Sequence, residues 1–598
     1  MTISVFGPEV DEIFVRSRAT EQRTVEVAGE TRIIPAPFPS PQDWRDVWIY
    51  QLLTDRFNNP VAQPHRNWDD TTEDFQGGTL NGVRERLDYL QDLGVGAIWL
   101  SPVQMNCLYR PSYHGYGIQN FLELDPRLAA DPVAARNDPS IVEGELTDLV
   151  DAAHARGMYV IFDVVLNHVG DVFEYSANGS GASEAPFREN PYPVRWRDHN
   201  GTGRADWPDA AGIIGASGSE LVWPRELQNN SFFRRQGKGN GDGAGDFASL
   251  KELATERSEY LRNVLIRAHQ YLVAKFDADG FRIDTLKYIE PEFARVFGNA
   301  MREYALSIGK KNFFTFGEIY DNEEKIASYI GRNSISDSSD LIGVDAALDF
   351  PLFYVLPSVS KGLQPPSALA GIYDYRKNVQ RGILSSHGDA GKFFVTFLDN
   401  HDQYQRLYFT DPADPHKFDD QLTLAVGCLF ALQGIPCLYY GTEQGLNGSG
   451  RVLEAVREAL WGKPRAFDPI HPFYQTIQQL SEARRQVPAL RYGRQYFRPV
   501  SGNGTDFGIS QFLGGVISFS RILNDAEIVV AANTNTVSSW NGRILVDSIL
   551  NPAGSTFSDV FTNKAAPGAP GQVSTAHGLA SVALELRPLE IRILERSS

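Results

Sequence analysis

Four short polar clusters stand at the ends of apolar runs: Asp163, Asn167 and His168; Arg282 and Asp284; Glu318; and Asp399, Asn400, His401 and Asp402. Charged groups directly after apolar strands are costly unless they face a cleft, a partner or solvent. Any one of them could be a structural salt bridge or a loop cap, but that does not account for four on one rim. Carboxylates from separate runs, with an arginine and two histidines, suit acid chemistry on an uncharged polar substrate. The chain has no P-loop, HExxH, CxxC or GxSxG nucleophile elbow. Glycoside cleavage remains: one carboxylate attacks or activates water while a second, protonated, donates to the leaving oxygen. Aromatic residues are 11% of the chain, and Tyr and Trp near these clusters could stack on sugar faces, core packing being each ring's default role.

The elements that must position these residues follow a repeated order. VWIYQLL, VGAIWLSP, MYVIFDVVLNH, ADGFRID, KNFFTFGEIY, VDAALDFPLF, KFFVTFLDNHD and IPCLYYG read as buried strands. Helical patterns alternate with them. GVRERLDYLQDLG places Val83, Leu87, Leu90 and Leu93 at helical spacing and stops at Gly94. IVEGELTDLVDAAHARG, ATERSEYLRNVLIRAHQYLVAKF, EPEFARVFGNAMREYALSIG and the stretches 367–384 and 418–433 continue the series. Eight strand–helix units between about Val47 and Arg485 predict an α/β fold, a parallel sheet closed as a (β/α)₈ TIM barrel. No Gly-rich turn follows the first strand, against a dinucleotide-binding sheet. In such a barrel the chemistry sits at the C-terminal strand ends, where the four clusters fall.

The barrel is expected over 46–168 and 251–490, preceded by an extension over 1–45 that wraps the larger body. Roughly 80 residues rich in Gly, Asn, Asp, Pro and Trp separate strands 3 and 4, where a loop usually takes about 2–6. We read 169–250 as an inserted subdomain over the barrel mouth, and GKGNGDGAGD within it as a mobile rim or plain solvent-exposed loop. Over 491–598, alternating runs such as GVISFSRIL and AEIVVAANT between Asn, Gly and Pro turns predict a C-terminal antiparallel β-sandwich.

Composition limits the alternatives. The chain has 598 residues, 42% hydrophobic and 22% charged, as in a soluble globular protein. Its net charge of −18 argues against a nonspecific nucleic-acid or anionic-membrane binder. Cys107, Cys428 and Cys437 form no disulfide framework and read as buried small hydrophobes. No run approaches 18 apolar residues, so no membrane span is expected. The N-terminus lacks a basic region followed by an apolar one, so a cytoplasmic location is the expectation, although a trimmed exported chain would read alike.

The motifs DVVLNH (Asp163–His168), GFRID (Gly280–Asp284), FGEIY (Phe316–Tyr320) and FLDNHD (Phe397–Asp402) stand in order on the strands assigned above. WIYQLLTDRF and GIPCLYYGTEQG accompany them at the first and eighth strands. From Val47 to the C-terminus the chain resembles the α-amylase family, glycoside hydrolase family 13. The resemblance implies that Asp284 is the nucleophile, Glu318 the general acid/base and Asp402 the third carboxylate, which grips sugar hydroxyls. It implies that His168 and His401 hydrogen-bond the sugar, that Tyr116 in YHGYG stacks under it, and that Asp163 is supportive. Arg282, two residues before Asp284 on the same strand face, is expected to keep that carboxyl ionised. Departures are Gly117 and Asn120 near Tyr116, Tyr288 after Lys287, and FASLK at Phe247–Lys251, where Ser249 replaces a common calcium-ligating aspartate. Asn167 matches another common calcium ligand.

The implied activity is retaining cleavage of α-glucosidic bonds in an α-glucan or oligosaccharide. The alternatives are a glucosyltransferase or isomerase using the same covalent intermediate, and an inactive sugar-binding member. The expected partner is the sugar substrate, with no nucleic acid and no membrane; oligomeric state is unassigned. No organic cofactor is expected to be required, no metal ligand is assigned, calcium is left open, and activity is expected to survive EDTA better than in calcium-bound amylases because of Ser249. The retaining route predicts carboxyls of Asp284 and Glu318 about 5–5.5 Å apart.

Overall fold

The computed structural model describes residues 4–177, 180–239, 244–332 and 342–597. Part of GKGNGDGAGD, residues 240–243, lies outside them. Eight short strands make the central sheet: β1 (Ile49–Leu52), β2 (Ala97–Leu100), β3 (Tyr159–Val165), β4 (Gly280–Asp284), β5 (Phe314–Gly317), β6 (Ala346–Ala347), β7 (Val395–Thr396) and β8 (Ile435–Tyr439). Neighbours pair in parallel around the ring. The bridge Leu348–Val395 closes it between β6 and β7. Every residue of β4 and β5 is buried, because helices cover one face and side chains fill the interior.

Helices α1 (Leu87–Leu93), α2 (Ser140–His154), α3 (Glu259–Phe276), α4 (Pro291–Ser307), α5 (Pro366–Val379), α6 (Asp419–Ala431) and α7 (Pro472–Gln486) form the outer layer. Helix α1 ends on Gly94, whose φ of 91° is left-handed and whose missing Cβ would lie 2.1 Å from Ser481 Oγ. Conformation and packing both demand glycine there. The run 82–94 is not one helix: it splits into Leu80–Arg84 and α1. VDAALDFPLF is also corrected, since only Ala346–Ala347 joins the sheet and Phe350–Phe353 is a helical turn. The Asp349 carboxylate accepts from Leu352 N at 3.1 Å, and Pro351 fixes φ at the start of that turn.

The N-terminal segment contains a helix, Pro8–Arg16, absent from the sequence reading, which buries Val10 and Phe14. An antiparallel hairpin follows, Glu21–Val27 with Glu30–Ala36. It lies against α2, with Arg23 bonded to Asp151 at 2.8 Å and Arg32 to Ala155 O at 2.7 Å.

After β3 the chain leaves the barrel through His168–Val169, which pairs with returning Lys251–Glu252. Between these, Phe173–Ala177 is the middle strand of a three-stranded sheet with Ser180–Ala182 and Val194–Trp196. Phe173, Trp196 and Phe233 pack edge to face with centroids 5.3–5.5 Å apart, a geometry that favours aromatic clusters.

The C-terminal region is an antiparallel sandwich of β9 (Val516–Leu523), β10 (Ala526–Asn533), β11 (Trp540–Leu545), β12 (Thr556–Thr562), β13 (Gly571–Ala576), β14 (Leu579–Leu586) and β15 (Ile591–Arg596). Strand β10 is buried on both faces: Val529 and Ala531 enter the sandwich core, while Ile528, Val530 and Ala532 join the barrel's core. Period-two alternation produces both faces from one strand. Among the described residues, no helix is long and apolar enough to cross a membrane.

Candidate active site

A cleft of about 1110 Å³ opens where β3, β4 and β5 end, and Tyr116, His168, Asp284, Glu318 and Asp402 line it. Pairing of Arg282 opposite Asp163 sets a buried cation beside a buried carboxylate at the floor. Arg282 Nη1 donates to Asp163 at 2.9 and 3.0 Å and to Asp284 Oδ1 at 2.8 Å. Its Nη2 lies 2.9 Å from Glu318 Oε2. One guanidinium thus carries three carboxylates, with Asp284 and Glu318 on its two terminal nitrogens. Glu318 also accepts from Thr285 N at 3.0 Å. That N–H is aimed by a left-handed Thr285, φ 48°, a strained conformation for a β-branched residue.

Behind the lining runs a chain of hydrogen bonds. Gln51 Nε2 can only donate, so at 2.6 Å it makes His401 Nδ1 an acceptor. The proton of His401 therefore sits on Nε2, 2.8 Å from the Tyr116 hydroxyl. Tyr116 donates in turn to Asp163 Oδ2 at 2.9 Å, as does Trp99 Nε1 at 3.0 Å. The Tyr116 and His401 rings lie 7° from parallel. His401 sits behind Tyr116, whereas His168 lines the cleft with its buried Nε2 unpartnered. Asp402 receives Arg457 Nη2 at 3.1 Å. The same guanidinium donates to His401 O at 2.8 Å and Tyr113 Oη at 2.9 Å.

The model for the alpha-amylase catalytic domain matches residues 51–469. The chain belongs to the alpha-amylase family. An alpha-amylase of Streptomyces lividans is 28% identical over 510 residues, covering 77% of this chain and 51% of that protein, so the chain spans about half its relative's length. The alpha-amylase of Geobacillus thermoleovorans, solved with acarbose, superposes with a TM-score of 0.62 at 23% identity, over 93% of this chain and all of that one (100%). The gamma-CGTase of an alkalophilic Bacillus clarkii gives 0.64 at 21% identity, over 93% of this chain and 71% of that one. At these identities the two superpositions speak to the fold.

Electrostatics in this alpha-amylase-family site departs from expectation at Asp284. Burial lifts its carboxyl well above the ordinary carboxylate range; Arg282 opposes this, and Glu318 and Asp163 add to the lift. Burial likewise raises Asp163 to about 6 against the pull of Arg282. One guanidinium is shared by three carboxylates, and for Asp284 and Asp163 its pull does not outweigh the effect of burial. Burial, with Arg457 and Arg282 nearby, holds His401 well below the usual histidine range and neutral. Burial takes His168 down to about 4, against the opposing pull of a hydrogen bond to the Tyr116 backbone.

The sequence reading missed Gln51, Trp99, Tyr113 and Arg457. The available signal for Arg457 was a charged run, Glu454, Arg457 and Glu458, set among apolar residues after β8 and buried in the structure.

Proposed function

We propose that this chain cleaves α-glucosidic bonds of α-glucans or malto-oligosaccharides by double displacement with retention. The observation that carries this is the sharing of Arg282 by Asp284 and Glu318 at the floor of the cleft. Family membership supports the substrate class. Asp284 attacks the anomeric carbon as a carboxylate, its charge met by Arg282 Nη1, while Glu318 acts as the general acid and donates a proton to the leaving oxygen. Glu318 then takes a proton from water, which displaces Asp284 from the glucosyl–enzyme ester. Arg282 touches both carboxyls, so it balances their charge as the proton leaves. Asp402, held by Arg457, accepts sugar hydroxyls; Tyr116 supplies the stacking face, and neutral His168 Nε2 a partner for a further hydroxyl.

Nuclear magnetic resonance of the first product, before mutarotation, tests this. An α-anomer is expected, and a β-anomer would remove Asp284 from the nucleophile's role. Asp284→Asn should abolish turnover with unchanged melting. Asp284→Gly with azide should yield the β-glycosyl azide, because one displacement inverts. Chromatography of maltoheptaose products should show shorter sugars; longer ones would identify a sugar hydroxyl as acceptor.

A further inference from the structure

The sequence leaves calcium open at Asn167 and Ser249, positions that match common calcium ligands of the family, and the residues around them do not fit a metal ion. Ser249, in place of a carboxylate, lines the cleft. Asn167 lies with Nδ2 3.5 Å from His168 Nδ1, and its backbone carbonyl accepts from Leu253 N at 2.9 Å. The nearby carboxylates are already neutralised by side chains. Lys251 is fully buried, at 0% exposure, with Nζ 3.5 Å from both Asp171 Oδ1 and Asp246 Oδ2. It donates to Ser183 O. The ammonium also stands 4.6 Å from the Tyr175 ring centre and 5.2 Å from that of Phe173, faces that attract cations. Arg197 takes the other oxygen of Asp171 at 3.0 Å and Glu174 at 2.7 Å.

We propose that the Lys251 ammonium is a built-in cation that stands in for a bound divalent metal at this joint. The groups it gathers, Asp171, Phe173, Tyr175, Ser183 and Asp246, all belong to the insert, while Lys251 is the first residue of the returning barrel chain. Lys251 itself pairs with Val169, and Glu252 beside it with His168, so the clamp adjoins a residue that lines the cleft. A hard cation needs several oxygen ligands, whereas an ammonium is satisfied by the one carbonyl, two carboxylates and two ring faces present. Removing the ammonium leaves Asp171 with Arg197 alone and Asp246 with no cation among the described residues, and a buried charge without its partner is strongly destabilising.

The test uses the full chain, with melting followed in EDTA and in calcium chloride. The unmodified protein should melt at one temperature in both and retain no calcium after equilibrium dialysis. Lys251→Met should melt several degrees lower, and calcium should return part of the loss. A calcium-reversible fall in the unmodified protein's melting temperature would overturn the proposal, and this holds even if the variant does not fold. It would also be overturned by Lys251→Met melting like the unmodified chain, or melting lower with no response to calcium. All these outcomes are independent of whether the cleft cleaves glucans.

Discussion

Arg457 reaches Asp402, His401 and Tyr113 from outside all four sequence motifs. A charge-assisted contact of this kind is worth about 1.5–3 kcal/mol, so Arg457→Met should lower kcat/KM roughly ten- to hundredfold. In an Asp402→Asn background the loss should shrink, as contacting partners do in double-mutant cycles; initial rates on maltoheptaose measure both. Asp284, Glu318 and Asp402 were legible because a carboxylate after an apolar run stands out. Arg457 was not, since its role depends on a loop crossing back to the seventh strand. Buried histidines give a further expectation. Burial takes His168 and His269 to about 4 from 6.5. The unfolded chain binds protons below about 6.5 that the native protein refuses until about 4, so stability present above that range falls as pH drops through it. Urea unfolding at about pH 7 and about pH 5 should show His269→Leu losing less stability on acidification than the unmodified protein.

Asp349 explains why one strand was misread. VDAALDFPLF has the length and apolarity of a buried strand, and apolar runs this short do not distinguish strand from helix. Asp349 caps the helical turn and also binds Arg376, with Nη1 at 2.8 Å and Nη2 at 2.5 Å, all buried. Asp349→Ala would leave Arg376 with Glu323 and part of a buried charge uncompensated, at a cost of about 3–5 kcal/mol; urea midpoints should fall accordingly, and Asp349→Asn should lose less. The N-terminal helix was missed because it is short: in nine residues Val10, Ile13 and Phe14 face the core while Val15 is exposed, too brief a pattern to establish a helical period. Strands β1 to β5 and β8 were readable because each is apolar and bounded by polar turns, and their parallel order followed from the alternation with helices.

The sandwich and the barrel share a core, so they are expected to stand or fall together. Arg521 Nη1 donates to Ala431 O at 2.7 Å and Asn563 Nδ2 to Thr423 at 3.0 Å. A Cβ on Gly427 would lie 2.9 Å from Ile591, so α6 fits the sheet closely. Deleting the residues after about 490 should leave an apolar face on α6 and yield aggregated protein; a soluble barrel with unchanged melting would show the interface to be dispensable. The ring itself is uneven. Strands β6 and β7 contribute two residues each and meet through Leu348–Val395, whereas β3 and β4 share five paired positions. Amide protons along that seam should therefore exchange with deuterium before those flanking Arg282. The loop carrying Asp402 springs from β7, so warming should silence the enzyme by loosening one staple of the ring, while far-ultraviolet dichroism still reports an intact barrel.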